Sequence, residues 1–409
     1  MPQGQQRLQA RRADFPALRQ TVHGRPLIYL DHASTSQKPQ VVLDRLLSAY
    51  VERCGNVHRA VHWLSQAATH DMEAVRDKVR GLLGAPSRDE VIFTRGTTES
   101  VNLVAHCLGG QRIGPGDEVV VTTLEHHSNF VPWQVLCQTR GARLMVAPLS
   151  PTGQLDLDAL GRLLSPRTRL VACTHASNVT GTVVDVRAVC RLAQQVGALT
   201  LIDGAQAVPH LPVDVQALGC DFYCFSGHKL LGPWGVGVLW GRSELLATMP
   251  PWQTGGGMVS MVRADQTEFQ PPPQRFEAGT PAVAEIIALG AAIDYLREVG
   301  IEAIAQQEAW LLAETLPRLR AVDGLRLLVA EGPQVPVISF VMDGVHPHDL
   351  GTALDLEGIA VRAGLHCAEP LFSALGVHGS VRASLSFYNT IEEVDALCAA
   401  IRQASKLLR

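Results

Sequence analysis

The sequence predicts an α/β protein in which a large, mostly parallel sheet wrapped by helices is followed by a smaller α+β unit. Three observations carry this. The chain has 409 residues, more than a single core usually holds. From about residue 90 onward, short β-rich runs alternate with helical stretches, the pattern of consecutive α/β units around a parallel sheet. The alternation breaks between residues 254 and 280, where Gly255-Gly256-Gly257 and Pro271-Pro272-Pro273 stand in a stretch without helical period, the mark of a long loop or hairpin.

The elements follow in order. The N-terminus carries Arg7, Arg11, Arg12 and Arg19 without an apolar signal core, and reads as a first helix within a segment, 1–30, that packs on the small domain. Residues 31–280 form the large domain, with strands expected at 90–93, 118–122, 143–147, 170–174, 199–202, 221–225 and 235–240. A helix at 186–196 is clear from Val189, Leu192, Ala193 and Val196, with Gly197 as its stop. Residues 281–409 form the small domain: helices at 282–299 and 303–320, a strand at 335–342, then helix, strand and helix.

Composition narrows the function. Hydrophobic residues make up 46% and charged residues 18%, with a net charge of −4. No apolar run reaches the roughly 18 residues that span a bilayer, and there is no basic stripe for nucleic acid, so neither partner is expected. Nine cysteines without C-x-x-C pairs fit a reducing, cytoplasmic setting and no metal site. Cys220 and Cys224, around the strand before Lys229, read as packing residues.

The chemistry gathers at Ser226-Gly227-His228-Lys229, 26 positions after Asp203. A lysine just after a buried strand can be desolvated and can join an aldehyde cofactor as an imine. Pyridoxal phosphate is the expected aldehyde, because a carboxylate at the end of the apolar strand before Asp203 would keep its ring nitrogen protonated. Gly96-Thr97-Thr98-Glu99-Ser100 follows one strand and opens a helix, so Thr97 and Thr98 with the backbone N–H groups form a phosphate cradle that Ser226 and His228 complete. Taken alone, the same residues read as an ordinary helix cap. Glu125-His126-His127 sits where the carboxyl end of a strand meets the ligand crevice. One of its histidines can stack on a cofactor ring; a metal pair and two exposed histidines are the alternatives. Arg362 and Arg382 are candidates for bidentate capture of a substrate carboxylate. Cys367 lies in a short loop between Gly364 and Pro370 and reads either as a mobile nucleophile or as inert core.

Together these segments resemble the class V, fold-type I pyridoxal phosphate enzymes, most closely the group II, SUF-type (SufS-like) cysteine desulfurases with their selenocysteine lyase-like members. The resemblance runs through R-A-D-F-P from Arg12, Y-L-D-H-A-S-T-S-Q-K-P from Tyr29, G-N-V-H-R from Gly55 and F-T-R-G-T-T-E from Phe93. It continues in E-H-H-S-N-F-V-P-W-Q from Glu125, S-N-V-T-G-T from Ser177, D-G-A-Q from Asp203, S-G-H-K-L from Ser226, R-F-E-A-G-T-P from Arg275 and R-A-S-L-S-F-Y-N-T from Arg382.

The resemblance implies that Lys229 holds the cofactor and moves the substrate Cα proton, that Asp203 pairs with the ring nitrogen, and that Gln206 meets the phenolic oxygen. It further implies that His126 stacks on the ring, and that Thr280 of a second subunit joins Thr98, Ser226 and His228 at the phosphate of a homodimer. Asn178, Arg362 and Arg382 position L-cysteine, and Cys367 takes its sulfur as a persulfide, releasing alanine. The sulfur then passes to an acceptor for iron–sulfur cluster assembly, SufU- or SufE-like. His348, in His346-Pro347-His348-Asp349, favours a zinc-containing SufU-type acceptor, or else caps the helix starting near Asp349. Selenocysteine lyase, cysteine sulfinate desulfinase and, more distantly, an aminotransferase or epimerase are the rival activities. His32, Ala176, Thr180 and Leu365 depart from the commoner family residues.

Overall fold

The computed structural model describes residues 8–408. Seven strands build the large sheet: β1 (Val91–Thr94), β2 (Glu118–Thr122), β3 (Arg143–Ala147), β4 (Thr168–Thr174), β5 (Leu199–Asp203), β6 (Phe222–Ser226) and β7 (Gly237–Gly241). Each overlaps a strand expected from the sequence. Their order is β1-β7-β6-β5-β4-β2-β3. The pairs from β3 through β6 are parallel, while β7 runs antiparallel to both β1 and β6.

Every residue of β2 and β6 is buried, as befits parallel strands covered on both faces. Alternation sorts their side chains. Val120, Val171, Ile202 and Phe225 face one core, and Val119, Val121, Leu170, Leu201 and Phe222 face the other. Parallel pairing also brings Thr174, Asp203 and Ser226, at the carboxyl ends of β4, β5 and β6, to one edge of the sheet, where ligand crevices form.

The helices obey their local signals. Asp185 accepts a hydrogen bond from Ala188 N at the start of α1 (Val186–Gln195), and Gly197 follows with φ of 74°, a conformation glycine adopts freely. Between residues 254 and 280 the chain forms a short hairpin, Val259–Val262 with Thr267–Phe269. After it, α2 (Val283–Val299) and α3 (Ile301–Arg320) match the expected pair. The expected division at residue 280 runs just ahead of α2, whose Ile286, Leu289 and Ile293 share a core with Phe225 of the large sheet.

The second sheet contains β8 (Leu325–Leu327), β9 (Val337–Met342), β10 (Arg362–Gly364) and β11 (Ser380–Ser384), all antiparallel, in the order β8-β9-β11-β10. It carries Arg362 and Arg382 as cross-strand partners.

The N-terminal segment is helical at residues 8–10, as expected, and then tightens. Arg11–Asp14 and Pro16–Arg19 are separate 3-10 turns joined by an extended Phe15, because a proline disfavours helical geometry in the residue before it. Phe15 is buried against Tyr295, Phe387 and Tyr388, and Arg12 pairs with Glu393 at 2.8 Å. Arg7 lies outside the described residues. A second difference concerns His348, which does not cap its helix: the helix begins two residues before Asp349, as Pro347–Leu356, and His346 Nδ1 accepts from His348 N.

Candidate active site

A cavity of about 220 Å³ lies at the carboxyl edge of the large sheet, where the smaller sheet meets it. Lys229, Asp203, Gln206, Ser226, His228, Thr97, Thr98, His126, Asn178, Arg362, Arg382 and Cys367 all line it. Thr280 does not. It is exposed, in a separate depression with Arg95, Glu99 and Gly235.

Lys229 ends a 3-10 turn, Gly227–Lys229, directly after β6. Burial there lowers its pKa to about 8, with Asp203 pulling the other way. A neutral amine is thereby accessible near neutral pH. Asp203 closes β5 and accepts from Ala205 N at 2.9 Å, while burial raises its pKa and the charge of Lys229 opposes the rise. The turn itself is clamped: His228 O accepts from Ser36 N and Ser36 Oγ at 3.0 Å, Thr35 Oγ1 at 3.1 Å and Lys38 Nζ at 2.8 Å.

The hydroxyl cradle forms across two elements. Thr97 N and Oγ1 each lie 2.9 Å from Ser226 Oγ, so the first turn of the Thr97–Val104 helix is tied to the end of β6. Thr98 Oγ1 lies 2.6 Å from Ser128 Oγ. His228 lines the same cavity, and its Nδ1 is buried without a partner.

The adjacent histidines separate as turn geometry requires, with ring centroids 6.2 Å apart. His126 faces the cavity, its Nδ1 accepting from Ser128 N at 3.1 Å, and burial lowers its pKa to about 3. It is neutral at any ordinary pH. His127 points instead to the Cys367 loop, donating its N–H to Cys367 O at 2.8 Å and pairing through Nε2 with Glu369.

Two arginines converge on one hydroxyl. Arg362 Nη1 and Arg382 Nη2 donate to Ser34 Oγ at 2.7 and 2.8 Å. Arg382 also reaches Asn178 O at 2.9 Å and Asp31 Oδ1 at 3.0 Å, and its buried Nε has no partner. A planar carboxylate is the ligand such a paired guanidinium set accommodates. Gln206 Nε2 is held by Ala33 O at 2.7 Å.

The sequence alone missed several lining residues: Ser34, Ser128, Thr174 and His366. Thr174 had a signal, since it ends a parallel strand. His366 is buried beside Ser380 Oγ at 2.9 Å, and no local pattern marks it.

With this geometry in view, the comparisons decide the family. The model of the aminotransferase class-V family matches residues 28–397. The chain belongs to the class-V aminotransferase family. It has the fold-type I architecture of the pyridoxal phosphate enzymes, and pyridoxal phosphate is this family's cofactor.

Among its relatives are a cysteine desulfurase of Synechococcus elongatus, 50% identical over 392 residues covering 96% of this chain and 63% of the relative, and a cysteine desulfurase of Klebsiella pneumoniae, 50% identical, covering 97% of this chain and 98% of the relative. The chain thus spans under two thirds of the length of the Synechococcus protein and nearly all of the Klebsiella one. Among solved structures, the cysteine desulfurase CsdA of Escherichia coli, titled as its S-sulfonic acid form, superposes with a TM-score of 0.91 at 42% identity, over 98% of this chain and 99% of that one. The apo cysteine desulfurase of Thermococcus onnurineus gives 0.89 at 37%, over 96% and 99%.

The family's cofactor fits these residues. The cavity offers an amine that burial makes available, a buried carboxylate for a ring nitrogen, and a cluster of hydroxyls with the unpartnered His228 Nδ1 for a phosphate.

Proposed function

We propose that this protein is a cysteine desulfurase that converts L-cysteine to L-alanine and leaves the sulfur as a persulfide on Cys367. The observation that carries this is one shared cavity: the walls that bury Lys229 and Asp203 also admit Cys367 and two arginines. A transaminase would have no use for the thiol. Bound pyridoxal phosphate would supply the electron sink that makes the substrate Cα acidic.

The protein's own groups do the rest. Lys229, Thr97, Thr98, Ser226 and His228 would hold the cofactor, and Asp203 would balance charge at its ring nitrogen. His126, kept neutral by burial, would meet the cofactor without adding a charge to it. Arg362, Arg382 and Asn178 orient the substrate carboxylate. Lys229 Nζ then takes the Cα proton; with a pKa lowered to about 8, it can accept and return that proton at neutral pH. Cys367 Sγ, as thiolate, attacks the substrate sulfur. The sulfur–carbon bond breaks, a sulfur–sulfur bond forms, and protonation of the carbon yields alanine.

The test is alanine release from L-cysteine by the purified protein under reductant, with Cys367→Ala beside wild type. Release that collapses to background in the variant is expected. Equal release from both would overturn the role of Cys367, and no alanine from either with cofactor bound would point to selenocysteine, cysteine sulfinate or transamination instead.

The persulfide sulfur passes, on this reading, to an acceptor protein serving iron–sulfur assembly in a reducing cytoplasm; all nine cysteines are free thiols. His348 supports a zinc-containing, SufU-type acceptor over a SufE-like one, since its exposed imidazole borders the Cys367 loop at Gly364. His348→Ala should lower acceptor-stimulated turnover and spare basal turnover. Loss of both in equal measure would remove the acceptor role.

A further inference from the structure

The loop that carries Cys367 is held in a costly conformation by contacts of two kinds. His366 and Cys367 both have left-handed backbones, with φ of 49° and 56°, a region that residues bearing a Cβ rarely occupy unless their surroundings impose it. The inner contacts are buried. Asn178 Nδ2 donates to His366 O at 2.8 Å, and His366 Nε2 meets Ser380 Oγ at 2.9 Å. The outer contacts both come from His127, one from its backbone and one from its side chain. Its N–H donates to Cys367 O at 2.8 Å, and its imidazole Nε2 pairs with Glu369, two residues beyond Cys367. Side chains of this pair are 34% and 52% exposed, so water and other charges compete for them.

We infer that His127 and Glu369 are positioning residues that latch the Cys367 loop over the cavity. The inference rests on Cys367 as the sulfur-carrying nucleophile. That residue has two tasks: meeting the substrate sulfur inside the cavity and presenting the transferred sulfur outside it. A buried anchor suits the first task and resists the second. An exposed histidine–carboxylate contact closes the loop against its own strain and yields to competition from solvent, so the latch sets the balance between the two positions. Because His127 adjoins His126, the same turn that lines the cavity also gauges where Cys367 stands.

Thiol labelling tests this without requiring turnover. Cys54 and Cys367 are the exposed cysteines and the other seven are buried, so in a Cys54→Ser background iodoacetamide reports on Cys367, with mass spectrometry confirming the site. Glu369→Ala and His127→Ala should each speed labelling roughly two- to five-fold, the range that losing one exposed polar contact supports. His127→Arg, which keeps a donor for the carboxylate, should label near the wild-type rate, and the double alanine variant should label no faster than the singles. Unchanged labelling in both single variants, or single effects that simply multiply in the double, would overturn the latch. If wild type labels as described yet releases no alanine from cysteine, the desulfurase reading fails and the latch stands.

Discussion

Four donors meeting the carbonyl oxygen of His228 make the position of Lys229 depend on a distant stretch of chain, residues 35–38. Lys38 is the informative member. Its ammonium reaches His228 O and lies 5.7 Å from the ring of exposed Trp234, and burial pushes its pKa down to about 7. Lys38→Met should loosen the turn and lower kcat for alanine release by about 10-fold, within the roughly 100-fold that a misplacement of about 1 Å costs. KM should change little, and Lys38→Arg should retain most activity. A Lys38→Met enzyme with full kcat would mean that the serine and threonine donors hold the turn alone. Glu125 offers a second prediction. It is fully buried, and desolvation raises its pKa to about 8 from 4.5 although Asn129, Thr174 and Thr122 donate to it. A carboxyl raised in the folded state stabilises the protein fully below pH 4.5, and that contribution is lost as pH climbs toward 8, at about 1.4 kcal/mol per pH unit. Urea unfolding from pH 5 to 8 should show the decline in wild type and a flatter profile in Glu125→Gln.

Elements position these residues through close backbone contact and buried charge. Gly237 on β7 leaves no room for a Cβ, which would fall on the backbone of Gly96 just before the Thr97–Val104 helix. Gly237→Ala should therefore push the hydroxyl cradle off β6 and weaken cofactor retention, measured as cofactor lost on dialysis; retention equal to wild type would show that the strand yields instead. Arg76 and Glu277 join the Trp63–Leu83 helix to the segment before Thr280, with Arg76 1% and Glu277 6% exposed and 2.8 Å between them. Glu277→Ala strands a buried guanidinium that keeps only Glu73 and the Val91 carbonyl, and should cost about 3–5 kcal/mol in urea unfolding. The strands of the large sheet were legible because parallel strands covered on both faces are apolar throughout, as Glu118–Thr122 nearly is. The N-terminal helix was legible but shorter than expected, because Phe15 before Pro16 is extended and breaks it into 3-10 turns. The cap at His346 was missed because the helix opens at Pro347, two residues before the expected start at Asp349.

At the scale of the whole molecule, the cavity was legible where chemistry demands a residue type, as at Lys229, Asp203 and Cys367, and illegible where a residue enters by folding alone, as Ser34 and His366 do. Thr280 belongs to neither group. It came from resemblance, and within one chain it stands outside the cavity, in a depression with Arg95 and Gly235. If it serves a phosphate, it serves that of a second copy. Large apolar side chains are also left in water: Leu47 at 64%, Val51 at 73% and Trp63 at 64% exposed, a surface of the sort that another subunit covers. We therefore expect a twofold dimer in which each site takes Lys229 from one chain and Thr280 from the other. Lys229→Ala is expected to be inactive, and Thr280→Glu, which sets a carboxylate against the phosphate, to bind cofactor poorly. In a heterodimer of the two variants, isolated with two different tags, one site carries both defects and the other carries none. Such a heterodimer should release alanine at about half the wild-type rate per dimer, although each parent homodimer is close to inactive. A heterodimer as inactive as its parents would confine each site to a single chain and leave the exposed apolar surface to another purpose.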